Sequence, residues 1–208
     1  MEKVNFRELK ALNLGGNKIS DIKVLEKVKF EKLEKLYLWG NNISNINILA
    51  NVNFKKLRKL NLKEILLSDI NVLEKVKFEK LELLDLGGNI ISDISALENV
   101  NFKELKELDL ENNEISDIKV LQKVKFEKLE KLYLSKNQIS DIRVFEFVNF
   151  KDLKELQLDR NKISDINVLK NIKFTKLEIL DLEYNEINEG KDSNILYNLK
   201  FKIKNFLI

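Results

Sequence analysis

The first residues in this chain whose types and spacing suggest chemistry are carboxylates. Glu107 and Asp109 alternate on one short segment, with Glu111 the next alternate residue and Asp85 one repeat before Asp109. Paired acids are what glycoside hydrolysis uses when one carboxyl is kept protonated and the other ionised. The surrounding pattern places them on an open sheet, which offers neither a cleft nor the desolvation that raises one pKa, so no catalytic activity is expected. Nucleophile–base pairs are excluded more simply: the chain has no His and no Cys, which removes Ser–His and Cys–His arrangements, thiolate metal sites and disulfides together. The "LGGN" at 14–17 and at 86–89 falls on repeated positions and is not a phosphate loop. The recurring Asp21, Asp69, Asp93, Asp117, Asp141 and Asp165 have the look of a metal ladder. Each follows a serine and precedes an apolar turn, so capping of that turn accounts for them, and neither metal nor other cofactor is expected.

The remaining chemistry is that of recognition. Trp39, the only tryptophan, lies in "EKLYLWGNNISNI" beside Tyr37, where equivalent positions carry Gly15, Lys63, Gly87, Glu111, Ser135, Asp159 and Glu183. An exposed Trp next to a Tyr is the composition of a binding hot spot. The competing reading is that the ring merely shields the sheet over Gly15 and Gly16; the binding reading is preferred, because covering backbone alone gains little. On that reading Trp39→Ala leaves thermal stability nearly unchanged.

The elements that position these residues follow from repetition. The pattern LxxLxLxxNxISDIxxLxxVxFxx recurs every 24 residues from Leu9, Leu33, Leu57, Leu81, Leu105, Leu129 and Leu153, with a partial unit at Leu177. In "LEKLYLWGN" the alternation of Leu36 and Leu38 with Lys35, Tyr37 and Trp39 is the period of a short strand, leucines on one face. Identical strands one repeat apart stack in parallel at about 4.8 Å, so eight of them make a sheet roughly 35–40 Å wide. Each return leg opens with a Ser–Asp pair as helix N-cap and continues into a short helical turn on the opposite, convex side. Phe6, Phe30, Phe54, Phe78, Phe102, Phe126, Phe150 and Phe174 share one register and predict an internal aromatic spine. Asn17, Asn41, Asn89, Asn113, Asn137, Asn161 and Asn185 sit where the strand turns away; an amide there bonds backbone that has left the ladder, which predicts a structural asparagine ladder. Ile65 interrupts it, and Ile65→Asn is expected to restore the rung.

The segments "LKELDLENN" at 105–113 and "ISDI" at 115–118, so often repeated, resemble the short-repeat branch of the leucine-rich repeat family, which includes bacterial internalins and the leucine-rich regulatory subunit of a eukaryotic serine/threonine phosphatase. The resemblance covers roughly residues 1–189. It implies an α/β solenoid, a right-handed horseshoe with a concave parallel sheet and short convex helical turns, whose asparagines form a ladder. The "VKFEK" segment makes the unit two residues longer than is usual in that branch. Internalin-like relatives imply a microbial surface adhesin; phosphatase-subunit-like ones imply a cytosolic scaffold.

On that frame residues 1–8 form a partial N-terminal repeat, 9–190 the array, and 191–208 a C-terminal cap, since Gly190 stands where an Ile belongs and the apolar spacing then changes. Met1, Val4 and Phe6 fall in the register of Leu25, Val28 and Phe30, so the chain starts mid-repeat. An open N-terminal edge is expected there, covered by self-association or by further repeats of a longer parent protein. The strand residues facing away from the leucines change from repeat to repeat while the convex ones stay alike, which favours a concave face specialised for a protein partner. The residues assigned to it are Lys35, Tyr37, Trp39, Lys63, Asp85, Glu107, Asp109, Glu111 and Tyr133. Lysines at 35, 59 and 63 precede the acidic block, so the partner is expected to be basic towards the C-terminal half. Two alternatives stand beside the protein-binding module: a self-assembling structural unit, with Phe147 as a convex contact, and a carbohydrate-binding surface built on Trp39 and Tyr37. With 37 basic and 34 acidic residues there is no global field to attract nucleic acid or membrane, and neither is expected as a partner. No signal peptide or membrane span is apparent, which makes the cytoplasm the default location.

Overall fold

The computed structural model describes residues 6–208; Met1 and Val4, two of the three residues on which the open N-terminal edge was expected, lie outside them. Nine parallel strands form one open sheet in chain order: β1 (Ala11–Asn13), β2 (Lys35–Tyr37), β3 (Lys59–Asn61), β4 (Leu83–Asp85), β5 (Glu107–Asp109), β6 (Lys131–Tyr133), β7 (Glu155–Gln157), β8 (Ile179–Asp181) and β9 (Asn205–Leu207). Up to β8 the register shift is one repeat, so Lys35 faces Lys59 and Asp85 faces Asp109. A parallel stack of identical units can satisfy its ladder and superpose its leucines at once only in this register. Leu36, Leu60, Leu84, Leu108, Leu132 and Leu156 are accordingly all fully buried.

The ladder continues past the short strands, with Leu14 N–H bonding Tyr37 O at 2.9 Å and Gly16 N–H bonding Trp39 O at 2.8 Å. Where the chain then turns, the asparagine side chain takes over. Asn41 Nδ2 donates to Leu14 O, Leu38 O and Trp39 O, and its Oδ1 accepts from Ile19 N at 2.9 Å. Asn89, Asn113, Asn137, Asn161 and Asn185 donate in the same three-way fashion, for example Asn137 to Leu110 O, Leu134 O and Ser135 O. Asn17 is exposed and bonds only Leu14 O and Gly15 O within its own repeat.

Ile65 is more than an absent rung. It is fully buried in the core, and Asn89 Oδ1 accepts from both Ile65 N and Leu67 N at 3.0 Å. The backbone is rerouted with it: Leu66 takes φ 63°, and the equivalent of the Asn42 N to Ile19 O and Ile90 N to Leu67 O bonds is not made to Ile43 O among the described residues. Reinstating an asparagine is therefore not a simple repair.

Each return leg contains a single 3-10 turn, such as Lys23–Glu26 and Lys119–Gln122. The Ser–Asp caps work differently from the expected N-cap. Position N-cap is an isoleucine, and the aspartate before it accepts from the amide two residues on, as in Lys23 N to Asp21 Oδ1 at 2.8 Å and Lys119 N to Asp117 Oδ1 at 2.8 Å. Each of the six recurring Asp carboxylates accepts a backbone bond, and no cluster of three or more candidate metal ligands occurs among the described residues. Phe30, Phe54, Phe78, Phe102, Phe126 and Phe150 are buried, with close ring contacts running from Phe6 through Phe78 at 5.8–6.3 Å between centroids. Phe174 instead turns to Phe145, 6.0 Å away.

The C-terminal segment departs from the repeat in two ways. A helix, α1 (Glu189–Lys202), starts just ahead of the expected boundary, where Asn188 Oδ1 accepts from Lys191 N at 3.0 Å. Its inward residues Ile195 and Leu199 are buried, as is Ile203 beyond it. The apolar "NFLI" then returns as β9 and pairs with β8, Ile179 opposite Asn205, so the sheet has nine strands where the repeat count anticipates eight. No helix among the described residues is long and apolar enough to cross a membrane.

Candidate functional site

Strand alternation brings one side-chain column per odd position onto the concave face. Lys35 is exposed there, Tyr37 half-buried, and Trp39 41% exposed. Trp39 is not free-standing. A Cβ built on Gly15 would lie 2.2 Å from the indole Nε1 and 2.3 Å from Cε2, and one on Gly16 would lie 3.3 Å from Cη2. The ring lies across the two glycines of the preceding repeat and uses the space that their missing side chains leave. The shielding reading is thus realised, and the expectation that Trp39→Ala costs no stability is withdrawn; the outer part of the ring remains open to a partner.

One repeat further, Lys59 and Lys63 stand half-buried beside the acidic block. Asp85 and Asp109 are register partners. Both carboxylates border the space above Gly87, where a Cβ would be 3.3 Å from each Oδ1. Each also holds its strand end in place. Asp85 Oδ1 accepts from Gly87 N at 3.0 Å and its Oδ2 from Asn61 Nδ2 at 2.6 Å, while Asp109 Oδ1 accepts from Glu111 N at 2.8 Å. Asn13, Asn61 and Asp181 make the same bond to the amide two residues on. Asx residues in this column therefore fasten the strand end, a role that alternation alone does not separate from recognition.

Burial has electrostatic consequences that an open sheet was expected not to supply. Desolvation pushes Asp109 up to about 6, with Asp85 and Glu111 adding to the rise, and the same burial raises Asp85 and Asp181 above the ordinary carboxylate range. Tyr133, also half-buried, is pushed up to about 12, chiefly by burial and then by the Glu155 carboxylate, to which its hydroxyl donates at 3.2 Å. Glu155 further accepts from Gln157 Nε2 at 2.7 Å and pairs with Lys131 at 3.4 Å, so it ties three neighbours together although the sequence pattern does not single it out. Glu107 stands opposite Lys131 in the register, and Glu111 binds Lys136 at 2.7 Å. The acids and Tyr133 form one surface across β4–β8; Lys35, Tyr37 and Trp39 form another on β2, with β3 and its lysines between them.

A rim of residues beside this face also escapes the sequence reading. Gly16, Gly40 and Gly88 have left-handed φ of 62–68° at the turn after the strand, and the same turn is filled by Glu64, Asn112, Lys136, Arg160 and Tyr184 at φ 53–56°. The left-handed region disfavours all of these side chains except asparagine. Three of them make contacts on the rim: Lys136 with Glu111, and Arg160 stacked 4.3 Å over the exposed Tyr184 ring. The loss of glycine at one repeated position was the available signal.

The arrangement has known counterparts. The family model for leucine rich repeats, in two-copy units, matches residues 7–51, 79–123 and 127–171, leaving out the stretch that contains Ile65. No curated protein matches the chain. Among solved structures, internalin C2 from Listeria monocytogenes is 29% identical with a TM-score of 0.70, over 85% of this chain and 72% of that one. A leucine-rich repeat protein of Leptospira interrogans is 21% identical, with a TM-score of 0.75, over 96% of this chain and 54% of its own length. The leucine-rich repeat ectodomain of the Arabidopsis thaliana membrane receptor kinase GASSHO1/SCHENGEN3, in complex with Casparian strip integrity factor 2, is 24% identical with a TM-score of 0.64, over 87% of this chain and 25% of that one. These last two likenesses speak for the fold alone. With the repeat, the parallel sheet and the asparagine bonding in agreement, and with the family model covering well over half of the residues, the chain belongs to the leucine-rich repeat family.

Proposed function

We propose that this chain is a non-catalytic binding module that receives a partner protein on its concave sheet. Proteins of this fold commonly act as binding modules, and the Arabidopsis receptor of the same fold is held in complex with another molecule. The observation that carries the reading is the contrast between the two faces: on a scaffold that otherwise repeats in register, the concave columns vary in residue type along the array and present Trp39, Tyr37 and a divided charge. The partner side chains that suit it are an apolar knob at Trp39 and basic groups over β4–β8, where complementary charge speeds encounter and fixes register. Lys35, Tyr37, Trp39, Lys63, Glu107, Glu111 and Tyr133 are the contact residues in this proposal. Asp85 and Asp109 contribute charge while fastening their strand ends, and the asparagines from Asn17 to Asn185 hold the frame. Residues 9–190 act as the array and 191–208 as its cap.

The test is a screen of the chain against protein and glycan panels, with Trp39 fluorescence as readout. A protein ligand whose affinity falls by about 2 kcal/mol or more in Tyr37→Ala supports the proposal. A ligand found only among glycans, or a protein ligand indifferent to Tyr37 and to Glu107→Gln/Glu111→Gln, overturns it.

A further inference from the structure

The last helix carries a face that the fold does not use. Tyr197 and Phe201, one helical turn apart on α1, are 64% and 74% exposed, with ring centroids 4.7 Å apart. The buried Ile195 and Leu199 are on the opposite side of the same helix. Lys200, Lys202 and Lys204 are all exposed, and residues 193–208 contain no acidic side chain. The C-terminal segment is thus basic and aromatic, whereas the concave sheet from β4 to β8 carries eight carboxylates between Asp85 and Glu183 against Lys131, Lys136 and Arg160, which pair with Glu155, Glu111 and Asp159.

We infer that α1 of one copy docks, through Tyr197, Phe201 and the adjoining lysines, on the acidic concave sheet of a second copy. The inference rests on the concave face being the binding face. Two observations favour this contact. Charge favours the pairing: two helix ends meeting would set lysines against lysines, whereas the β4–β8 part of the sheet, with more acids than bases, suits a basic segment. Finally, α1 cannot reach its own concave face, because its inner side is packed through Ile195 and Leu199 into the end of the core beside β9. The contact joins different surfaces on the two copies, so it propagates into short chains or closes into a ring.

Sedimentation velocity of the full chain over a concentration series, at low and high salt, tests this. The expected result is a mass above that of the monomer, rising with concentration and suppressed by salt. Tyr197→Ala/Phe201→Ala, at positions too exposed to support the fold, should weaken association by about tenfold or more. A helix-reversed variant, Lys200→Glu/Lys202→Glu/Lys204→Glu, and a face-reversed variant, Glu107→Lys/Glu111→Lys/Glu183→Lys, should each be monomeric alone. Mixing them should restore association, since the unaltered helix of one meets the unaltered face of the other. A wild-type chain that stays monomeric at every concentration overturns self-docking and leaves the Tyr37-dependent screen untouched. Association lost on helix reversal but kept on face reversal refutes the concave face as the receiver, and an equal mass in the Tyr197/Phe201 variant refutes the helix.

Discussion

Gly15→Ala provides a direct test of what the tryptophan does. Gly15 lacks the left-handed φ of Gly16, so alanine suits its backbone, and any cost must come from the ring whose Nε1 would lie 2.2 Å from the new Cβ. A tryptophan side chain presents on the order of 250 Å². With 41% of Trp39 exposed, roughly 150 Å² is covered, worth at most about 3.8 kcal/mol at ~25 cal/mol per Å². Because a displaced ring keeps part of that cover, Gly15→Ala should cost about 2 kcal/mol and Trp39→Ala a similar amount. In the Trp39→Ala background the same glycine substitution should become neutral or stabilising by about 0.4–1 kcal/mol, because alanine restricts the unfolded chain. The double-mutant cycle therefore carries a coupling of about 2 kcal/mol. Equilibrium urea unfolding followed by far-ultraviolet circular dichroism measures all four variants, and the single tryptophan adds a local signal: its emission should shift to the red in Gly15→Ala. If Gly15→Ala costs the same with and without the indole, the glycine serves its own backbone and the packing account is wrong.

Three further outcomes are expected. Asn137→Ala should cost about 2–3 kcal/mol in the same unfolding assay, since it strands three carbonyls and the Ile115 amide, while Asn17→Ala, exposed and with two bonds in its own repeat, should cost under about 1 kcal/mol; equal losses would refute the ladder. For Asp109, the folded chain holds its proton more tightly than the unfolded chain, whose ordinary value is 3.8, so ionisation disfavours the fold at neutral pH and that cost is relieved as pH falls through about 6. Asp109→Asn should accordingly stabilise by about 1–2 kcal/mol at pH 7.5 and by nothing near pH 4, and a pH-independent difference would exclude burial as the cause. Ile65→Asn should destabilise by about 1–3 kcal/mol, because a polar amide enters a fully buried site whose backbone no longer presents the rung geometry; a gain in melting temperature would show that the rung can be rebuilt.

The repeat period by itself determined the architecture. A 24-residue unit with leucines on alternate positions can bury them only by stacking in register, and the asparagine at every turn but that of Ile65 both donates and accepts, so it can satisfy backbone on both sides of it. The same regularity made the concave columns legible, and with them Tyr37, Trp39 and the division of charge. What lay beyond the sequence concerns contacts between unlike neighbours. Alternation assigns Trp39 to a face, but only the neighbouring glycines decide that its ring lies down on the sheet. Spacing shows acids at 85 and 109, but only burial in three dimensions decides that Asp109 is desolvated enough to sit near 6. The left-handed turn that Lys136, Arg160 and Tyr184 occupy depends on backbone geometry that a residue type does not reveal unless it is glycine. Past Gly190 the period ends, so the pairing of β9 with β8 and the outward turn of Tyr197 and Phe201 were decided by how α1 covers the last repeat's apolar end, a three-dimensional requirement that no local pattern encodes.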